Sequence, residues 1–379
     1  MVPLGEVVEL SQSTVDPSTV DALTPYIGLE HIERGGRLLA HPTVGEAGPT
    51  SPKARFQAGD LLFGKLRPNL AKVVLLPYSG VSSTDLLRIR PSGEIDASYL
   101  RHFLLSPEAV SNAASLATGA NLPRLTASKL GSFKVPLPDI EEQRRIAAIL
   151  DQSVVLRDLR REAIPLLQDQ GHAIYDEMFE STVATTTVLD IALKTRTGPF
   201  GSQLLHSEFV DEGIAVLGLD NVVGNTFKWA QPRYIAVEKF DVLRRYQVES
   251  GDVLVSIMGT TGRCVVVPDG IPTAINTKHI CAITVDRRLI TPEFLRATFL
   301  WHPEARRYLR QQTKGSIMSG LNMGIVRAMP VPLPPLAQQQ VFAQRLVAVE
   351  REVQRMEAEA TELDALFASL QSRAFRGQL

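Results

Sequence analysis

Cysteine is scarce in this chain of 379 residues, which contains only Cys264 and Cys281. Neither one belongs to a Cys-x-x-Cys pair or lies near histidines with metal-ligand spacing, which excludes a disulfide framework and a zinc site. Apolar neighbours surround both cysteines in the sequence. We therefore predict that the two thiols lie in a hydrophobic core.

Long hydrophobic runs are also missing. No stretch reaches the roughly 18 to 20 apolar residues of a membrane span, and the first residues do not resemble a signal peptide. The composition, 44% hydrophobic and 21% charged, is that of an average globular protein and excludes a disordered tail or a collagen-like fibre. We expect a cytoplasmic protein without membrane contact, and the length favours at least two domains.

The net charge is only −1, but it is unevenly distributed along the chain. Lys and Arg minus Asp and Glu give +1 for residues 1–138, −5 for 139–187, +4 for 188–335 and −1 for 336–379. Two slightly basic segments therefore alternate with two acidic ones. This alternation is compatible with two DNA-facing parts joined by two parts that face other partners.

Motifs for catalysis are absent as well. A DNA methyltransferase needs an Asn-Pro-Pro-Tyr or Asp-Pro-Pro-Phe type of loop and a glycine-rich cofactor turn, and the sequence has neither. The segment Gly259–Arg263 lacks the Gly-Lys-Ser/Thr ending of a phosphate loop, so we predict a hairpin turn there. The seven histidines show no metal-ligand spacing with a nearby carboxylate. The sequence therefore predicts no catalytic residue, no metal site and no cofactor.

An internal repeat organises the chain. Val135-Pro136-Leu137-Pro138 recurs 196 residues later as Val331-Pro332-Leu333-Pro334, and the same offset relates Phe179 to Phe375. Such self-similarity indicates a tandem duplication with the order domain, helix, domain, helix. We place the four parts at residues 1–139, 140–181, 182–336 and 337–379.

Each globular part contains short β-rich runs separated by Gly, Pro, Asn and Asp, together with one short helical stretch. In the first part this stretch is Ala97 to Leu105, and in the second it is Pro292 to Leu300. This pattern predicts the α+β class for both domains.

A long helix is predicted after each Pro-Leu-Pro element, because proline ends the preceding structure. Apolar residues from Phe342 to Ala374 alternate in steps of four and three, which is a heptad seam. The first helix has comparable spacing and contains Pro165, where we predict a kink. We expect the two helices to pair with each other; an intermolecular coiled coil is the alternative. The residues predicted for the helix or subunit interface are Ile149, Leu156, Leu159, Leu346, Val353, Leu363, Phe367 and Leu370.

Three segments carry a resemblance to a known family. Leu137-Pro138 followed by Glu141–Asp151 resembles the start of the central conserved helix in specificity subunits of type I restriction-modification enzymes. The last residues, Leu366–Leu379, resemble that family's C-terminal signature, and Thr197–Leu204 is similar to the opening of many of its target-recognition domains. The first domain lacks a Gly-Pro-Phe-Gly-Ser counterpart, so the two halves are expected to recognise different sequences.

The resemblance implies two α+β target-recognition domains separated by two long antiparallel coiled-coil helices, with pseudo-twofold symmetry. Each domain would recognise one half of a bipartite, asymmetric target in double-stranded DNA. The helices would dock two methylation subunits, and restriction subunits would join through the complex. S-adenosylmethionine and ATP with magnesium would belong to those other subunits.

Candidate DNA contacts are polar loop residues, since Arg suits guanine while Asn and Gln suit adenine. For any one of them a solvated loop charge is the alternative. We align Asn276-Thr277-Lys278 with Ser83-Thr84-Asp85, so that an acid replaces the lysine. The predicted contacts are Lys65, Arg67, Asn69, Arg124, Arg196, Gln203, Arg263, Asn276, Lys278, His279, Lys314 and Ser316.

A different class of function is also compatible with the sequence. The chain could be a non-catalytic coiled-coil interaction scaffold, or a DNA reader of a related defence system. Salt dependence distinguishes a DNA reader from a scaffold, because phosphate contacts weaken steeply with salt whereas apolar helix contacts do not.

Overall fold

The structure is a computed structural model. It describes residues 1–10, 13–229, 232–313 and 320–379. The chain divides into two compact units, of which the first comprises Met1–Glu162 with Ala358–Leu379 and the second comprises Ala163–Glu357. Each unit is considered by itself below.

The first half of the chain contains short strands and helices and then one long helix. Its strands are β1 (Val2–Pro3), β2 (Val8–Glu9), β3 (Thr14–Val15), β4 (Tyr26–Ile27), β5 (Lys53–Phe56), β6 (Leu61–Gly64), β7 (Val73–Leu75), β8 (Gly80–Ser82), β9 (Leu86–Pro91) and β10 (Lys134–Val135). Its helices are α1 (Leu4–Val7), α2 (Val44–Ala47), α3 (Ala97–Leu104), α4 (Pro107–Leu116), α5 (Ala127–Gly131) and α6 (Ile140–Phe179).

The second half has the same kind of organisation. Its strands are β11 (Ala184–Thr187), β12 (Ala192–Thr197), β13 (Phe209–Val210), β14 (Ile214–Leu217), β15 (Tyr234–Ile235), β16 (Gln247–Val248), β17 (Val253–Ser256), β18 (Cys264–Val266), β19 (Ala274–Asn276), β20 (Ile280–Val285) and β21 (Pro330–Pro332). Its helices are α7 (Val188–Ile191), α8 (Val237–Leu243), α9 (Pro292–Trp301), α10 (Pro303–Thr313), α11 (Met323–Arg327) and α12 (Leu336–Ala374).

The two halves share their strand order. An antiparallel sheet β2-β9-β6-β7 in the first corresponds to β12-β20-β17-β18 in the second. A further sheet in each half contains one parallel pair, β4 with β8 and β14 with β19. Antiparallel sheets combined with separate helices confirm the predicted α+β class. The connection between β17 and β18 contains Gly259–Arg263, so the predicted hairpin turn is confirmed.

The core of the first unit joins its sheet to the long helices. Leu61 of β6 packs in the same buried cluster as Tyr99 of α3, Leu150 of α6 and Ala374 of α12. The start of α6 and the end of α12 are therefore built into the core of the first domain. Burial of such apolar surface is the main source of stability, at about 25 cal/mol per Å².

The core of the second unit is aromatic where the long helices enter it. Tyr175 and Phe179 of α6, Phe294 of α9 and Phe342 of α12 are fully buried. The Phe179 and Phe294 ring centroids lie 4.8 Å apart, and those of Phe179 and Phe342 lie 5.6 Å apart, both edge-on as aromatic pairs prefer. The end of α6 and the start of α12 are therefore part of the second domain's core.

Both cysteines lie in the core, as predicted. Cys264 and Cys281 are fully buried free thiols. Burial raises the pKa of the Cys281 thiol to about 12 and also raises the pKa of Cys264. Both thiols therefore stay protonated and act as small apolar side chains.

A buried glutamine ties the first turn of each long helix to the domain that precedes it. The Gln143 side-chain oxygen accepts a hydrogen bond from the Asp96 amide at 2.9 Å, and its Nε2 donates to the carbonyls of Glu94 at 3.0 Å and Pro138 at 2.9 Å. Gln143 is fully buried, and its role was not predicted from the sequence. Its three bonds position the helix start on the domain.

The second copy repeats these bonds. The Gln339 oxygen accepts from the Thr291 amide at 3.0 Å, and its Nε2 donates to the carbonyls of Leu289 at 3.1 Å and Pro334 at 2.8 Å. Gln143 and Gln339 lie 196 residues apart, the repeat offset. The offset is therefore the signal that could have identified both residues.

The predicted seam of the first helix was wrong by one residue position. Leu156 and Leu159 are 56% and 58% exposed, while the neighbouring Arg157 and Arg160 contact α12. Arg157 lies over the Phe367 ring at 4.4 Å. A single step along a helix rotates a side chain by about 100°, so the apolar pattern indicated the outer face. Long arginine stems cover apolar surface and can replace leucine in such a seam.

Acidic residues of α12 neutralise these arginines within the first unit. Arg157 donates to Asp364 at 2.5 Å, and Arg160 lies 2.6 Å from Glu359. Glu359 precedes Asp364 in α12, whereas its partner Arg160 follows Arg157 in α6. The two segments therefore run antiparallel.

Other seam residues are buried to different degrees. Leu346 and Val353 are buried in the second unit. Phe367 and Leu370 pack against the core of the first unit, whereas Ile149 and Leu363 are half-buried.

The α6 helix continues through Pro165, so this proline does not end it; the kink stays a prediction. Among the described residues, no helix is long and apolar enough to cross a membrane.

Candidate nucleic-acid interface

Three loop segments of the first domain meet beyond the end of β6. The Lys65 amide donates to the Asp85 carbonyl at 2.9 Å, and the Lys65 carbonyl accepts from the Leu125 amide at 3.0 Å. The Arg67 amide donates to the carbonyl of Pro123 at 2.8 Å. We call this place the first loop junction; it consists of residues 64–70, 83–85 and 118–125.

Four predicted DNA contacts lie at the first loop junction. The side chains of Arg67, Asn69 and Arg124 are exposed, and Lys65 is half-buried. Burial lowers the pKa of Lys65; Asp85 opposes this effect and Arg124 adds to it. A phosphate near Lys65 would stabilise its charged form.

Backbone geometry and one ion pair shape this junction. Arg67 has a left-handed backbone with φ of 48° and precedes the buried Pro68, so its side chain projects from a tight turn. The Arg124 guanidinium donates to Asp85 at 3.0 Å on the surface. Within the described part of the chain, Lys65, Arg67 and Asn69 have no side-chain hydrogen-bond partner. These three groups are therefore available to a ligand.

The second domain has a matching junction beyond β17. The Ile257 amide donates to the His279 carbonyl at 2.8 Å, and the Ile257 carbonyl accepts from the Leu321 amide at 2.8 Å. We call this place the second loop junction; it consists of residues 257–263, 276–280 and 320–321. Both domains therefore bring equivalent loops together with the same backbone hydrogen bonds.

The second junction exposes two cations and one imidazole. Arg263 and Lys278 are exposed, and His279 is half-buried. Burial lowers the pKa of His279, and the adjacent Lys278 charge lowers it further. His279 is therefore neutral at pH 7, with one nitrogen able to donate and the other able to accept a hydrogen bond.

Arg196 has a structural place that contradicts its predicted exposure on a loop. It lies in β12, where its guanidinium pairs with the buried Asp252 and donates to the Gln247 carbonyl at 2.9 Å and the Thr284 hydroxyl at 2.8 Å. A buried carboxylate without such a partner would be strongly destabilising. The Arg196 guanidinium is therefore occupied by contacts within its own domain, and the prediction that it is a DNA-contacting loop residue is wrong.

Asn276 is a second correction. It is fully buried at the end of β19, and its Nδ2 donates to the carbonyl of Ile280 at 2.8 Å. A side chain without exposed surface cannot reach a DNA base without rearrangement. Its amide instead supports the turn that carries Lys278.

The loop that contains Gln203 lies against this same turn. A Cβ atom added to Gly198 would stand 2.0 Å from the Asn276 carbonyl oxygen, so only glycine fits at this position. The exposed Gln203 accepts a hydrogen bond from the Tyr246 hydroxyl at 2.7 Å. Two further predicted contacts, Lys314 and Ser316, lie outside the described residues.

The structure also corrects the alignment of the two junctions. The Ser83 amide donates a hydrogen bond to the carbonyl of Ile27, the last residue of β4, at 2.8 Å. The Thr277 amide donates to the carbonyl of Leu217, the last residue of the equivalent strand β14, at 2.9 Å. Ser83 therefore corresponds to Thr277, and Asp85 corresponds to His279 rather than to Lys278. The predicted alignment of Asp85 with Lys278 was therefore wrong by one residue.

In the part of the chain that the structure describes, no three His, Cys, Asp or Glu side chains are grouped so as to hold a metal ion. The junctions offer hydrogen-bond donors and acceptors on loops that follow strands of the two antiparallel sheets. Such a surface suits the recognition of a nucleic acid, whose phosphates are anionic and whose bases present hydrogen-bonding edges.

Comparison with known proteins places this chain among DNA specificity proteins. A sequence profile described as "Type I restriction modification DNA specificity domain" matches residues 1–164 and 234–365. The chain is 22% identical over 321 residues to the type I restriction enzyme MjaVIII specificity subunit of Methanocaldococcus jannaschii, covering 76% of this chain and 72% of that protein.

Two further proteins are similar over different lengths. The type I restriction enzyme EcoDI specificity subunit of Escherichia coli is 29% identical over 136 residues, which span 36% of this chain and only 30% of that protein. The fold resembles the type I restriction-modification system S subunit from M. genitalium, with a TM-score of 0.62 and 13% identity over 99% of this chain and 95% of that one. At this identity the structural likeness concerns the fold alone.

Proposed function

Since this chain belongs to the type I restriction-modification DNA specificity family, we propose that it is the DNA-recognising specificity subunit of such a system. The observation that carries the proposal is the pair of matching loop junctions. Each junction presents exposed polar side chains, including Arg67 in the first domain and Lys278 in the second. Two equivalent surfaces with different side chains suit a target with two different halves.

In this proposal each domain recognises one half-site of a bipartite, asymmetric target in double-stranded DNA. The target-recognition domains are residues 1–139 and 182–336, and the helical parts are 140–181 and 337–379. The first junction contributes Lys65, Arg67, Asn69 and Arg124. The second domain contributes Arg263, Lys278 and His279 from its loop junction, Gln203 from the adjacent loop, and Lys314 and Ser316, which lie outside the described residues.

The long helices form an antiparallel coiled coil with pseudo-twofold symmetry in this proposal. Support comes from the antiparallel ion pairs of the first unit, such as Arg157 with Asp364, and from the shared docking bonds of Gln143 and Gln339. Equivalent helix starts on equivalent domains are what a duplicated, symmetric framework requires.

Methylation subunits are the proposed partners of these helices, and restriction subunits would join through the assembled complex. Leu156 and Leu159 stay exposed on the outer face of α6. Apolar side chains that lie together on a surface are typical of a protein interface. The chain itself catalyses no reaction in this proposal; cofactors belong to its partners.

Methylation of host DNA tests the proposal. The chain is expressed with its methylation subunit, and methylated bases are mapped across the host genome. We expect one bipartite motif that depends on this chain. Methylation without a bipartite motif would contradict the proposal.

Salt dependence tests the competing idea of an interaction scaffold. If the complex contacts 6 to 10 phosphates, its DNA affinity should fall about 10³- to 10⁵-fold between 50 and 200 mM salt. A scaffold bound through apolar helix faces would lose little affinity. Methyl transfer by the purified chain alone would contradict the proposed lack of catalysis.

A further inference from the structure

One position of the loop junctions carries opposite chemistry in the two domains. The Asp85 carbonyl accepts a hydrogen bond from the Lys65 amide at 2.9 Å. The His279 carbonyl accepts the equivalent hydrogen bond from the Ile257 amide at 2.8 Å. The same backbone site therefore holds a carboxylate in one domain and an imidazole in the other. Sequence alignment alone had placed Asp85 against Lys278.

Asp85 lies among cations that are available to DNA. Its side chain is 35% exposed and accepts a hydrogen bond from Arg124 at 3.0 Å through one oxygen. Among the residues that the structure describes, its second carboxylate oxygen has no hydrogen-bond partner. Burial lowers the pKa of Lys65, and Asp85 lies near enough for its charge to oppose that lowering.

A carboxylate at this place is unfavourable for simple phosphate binding. It repels the DNA backbone and partly neutralises Arg124, which would otherwise strengthen non-specific attraction. Its contribution to folding is small, because an exposed ion pair is typically weak. An acid among DNA-facing cations is useful where it accepts a hydrogen bond from a base, as Asp and Glu accept from the amino group of cytosine.

His279 offers the complementary chemistry. Its imidazole makes no hydrogen bond with any described residue and is half-buried beside the exposed Lys278. A neutral imidazole has one N–H, which can donate to the acceptor atoms of a purine edge. Asp85 can only accept, whereas His279 can donate.

We propose that Asp85 and His279 are specificity-determining residues at equivalent positions of the two half-sites. Asp85 selects a base with an amino group in the major groove, cytosine or adenine. His279 selects a base with an acceptor edge, such as guanine. This inference rests on the proposed function, because it assumes that the loop junctions contact DNA.

The test uses the complete chain assembled with its methylation subunits and maps methylated motifs in host DNA. Asp85→Ala removes the acceptor and should relax the choice at one base pair of the first half-site by about 5- to 150-fold, the loss expected for one good base contact. The second half-site should be unchanged. Affinity for unrelated DNA should rise, since one repulsive charge is removed.

Matched variants separate base recognition from other effects. Glu6→Gln removes an exposed acid of the same domain and should leave the motif unchanged. Asp85→His places the second domain's side chain at the first junction and should change the preferred base there. His279→Asp should change only the second half-site.

Each remaining outcome decides the inference. An unchanged motif in both Asp85→Ala and Asp85→His, with the wild-type complex methylating a bipartite motif, overturns the inference and leaves the proposed function intact. A wild-type complex that methylates no bipartite motif overturns the proposed function itself. If Arg124→Gln relaxes the same base pair and Asp85→Ala adds nothing to it, Asp85 only positions Arg124, and direct recognition is refuted.

Discussion

Replacing Gln143 by alanine should loosen the start of α6 from the first domain. The change removes one acceptor and two donor bonds, leaving the Asp96 amide and the carbonyls of Glu94 and Pro138 without partners. Each net bond contributes about 0.5 to 1.5 kcal/mol, and a buried group left unsatisfied costs about 1 to 3 kcal/mol. We therefore expect a loss of about 2 to 5 kcal/mol, a large share of a typical stability of about 5 to 15 kcal/mol.

Two compact units need not unfold together, so a local measurement is required. Amide hydrogen exchange should accelerate at Asp96 and along α3 (Ala97–Leu104), whose first turn Asp96 caps. The equivalent helix α9 (Pro292–Trp301) should keep its protection and serves as an internal control. Gln152→Ala, at an exposed position of the same helix, should change stability by less than about 0.5 kcal/mol.

If Gln143→Ala and Gln152→Ala show the same unfolding free energy and the same exchange rates on α3, the buried glutamine does not hold the helix start. Gln339→Ala should reproduce the effect on α9 in the second unit. Loss of protection in the wrong unit would equally refute the argument.

Three further predictions concern the packing of the long helices, a phosphate contact and the effect of pH. Leu346→Ala should lower the free energy of unfolding by about 2 to 5 kcal/mol because the side chain is buried, which calorimetry can measure. Leu156→Ala, at an exposed position, should change stability little but weaken methylation-subunit binding, which co-purification can measure. Arg67→Ala should lower the slope of log affinity against log salt by about 1 without changing the motif, if this arginine contacts a phosphate. Burial raises the pKa of Asp151, but hydrogen bonds with His102 and Ser98 lower it below its ordinary value. The ionised carboxylate should therefore stabilise the fold above about pH 4 and lose this effect at lower pH. The difference in unfolding free energy between the wild type and Asp151→Asn should shrink between about pH 6 and pH 3.

Much of the candidate site could be predicted from residue types and the repeat. Arg67, Arg263 and Lys278 are exposed on loops, as polar residues between strands generally are. Arg196 and Asn276 could not be sorted from them in this way. Their burial depends on partners that the fold brings together, such as Asp252, which follows Arg196 by 56 residues.

The sequence by itself determined the duplicated plan, the α+β class and the two long helices, because periodicity and proline placement act locally along the chain. Only the tertiary structure decided which face of α6 is buried. A heptad pattern specifies spacing, but Arg157 can enter a seam when Phe367 and Asp364 lie opposite its stem and its charge. The tertiary structure likewise decided that Asp85 and His279 are equivalent, because backbone hydrogen bonds between distant segments define the register, whereas residue similarity does not.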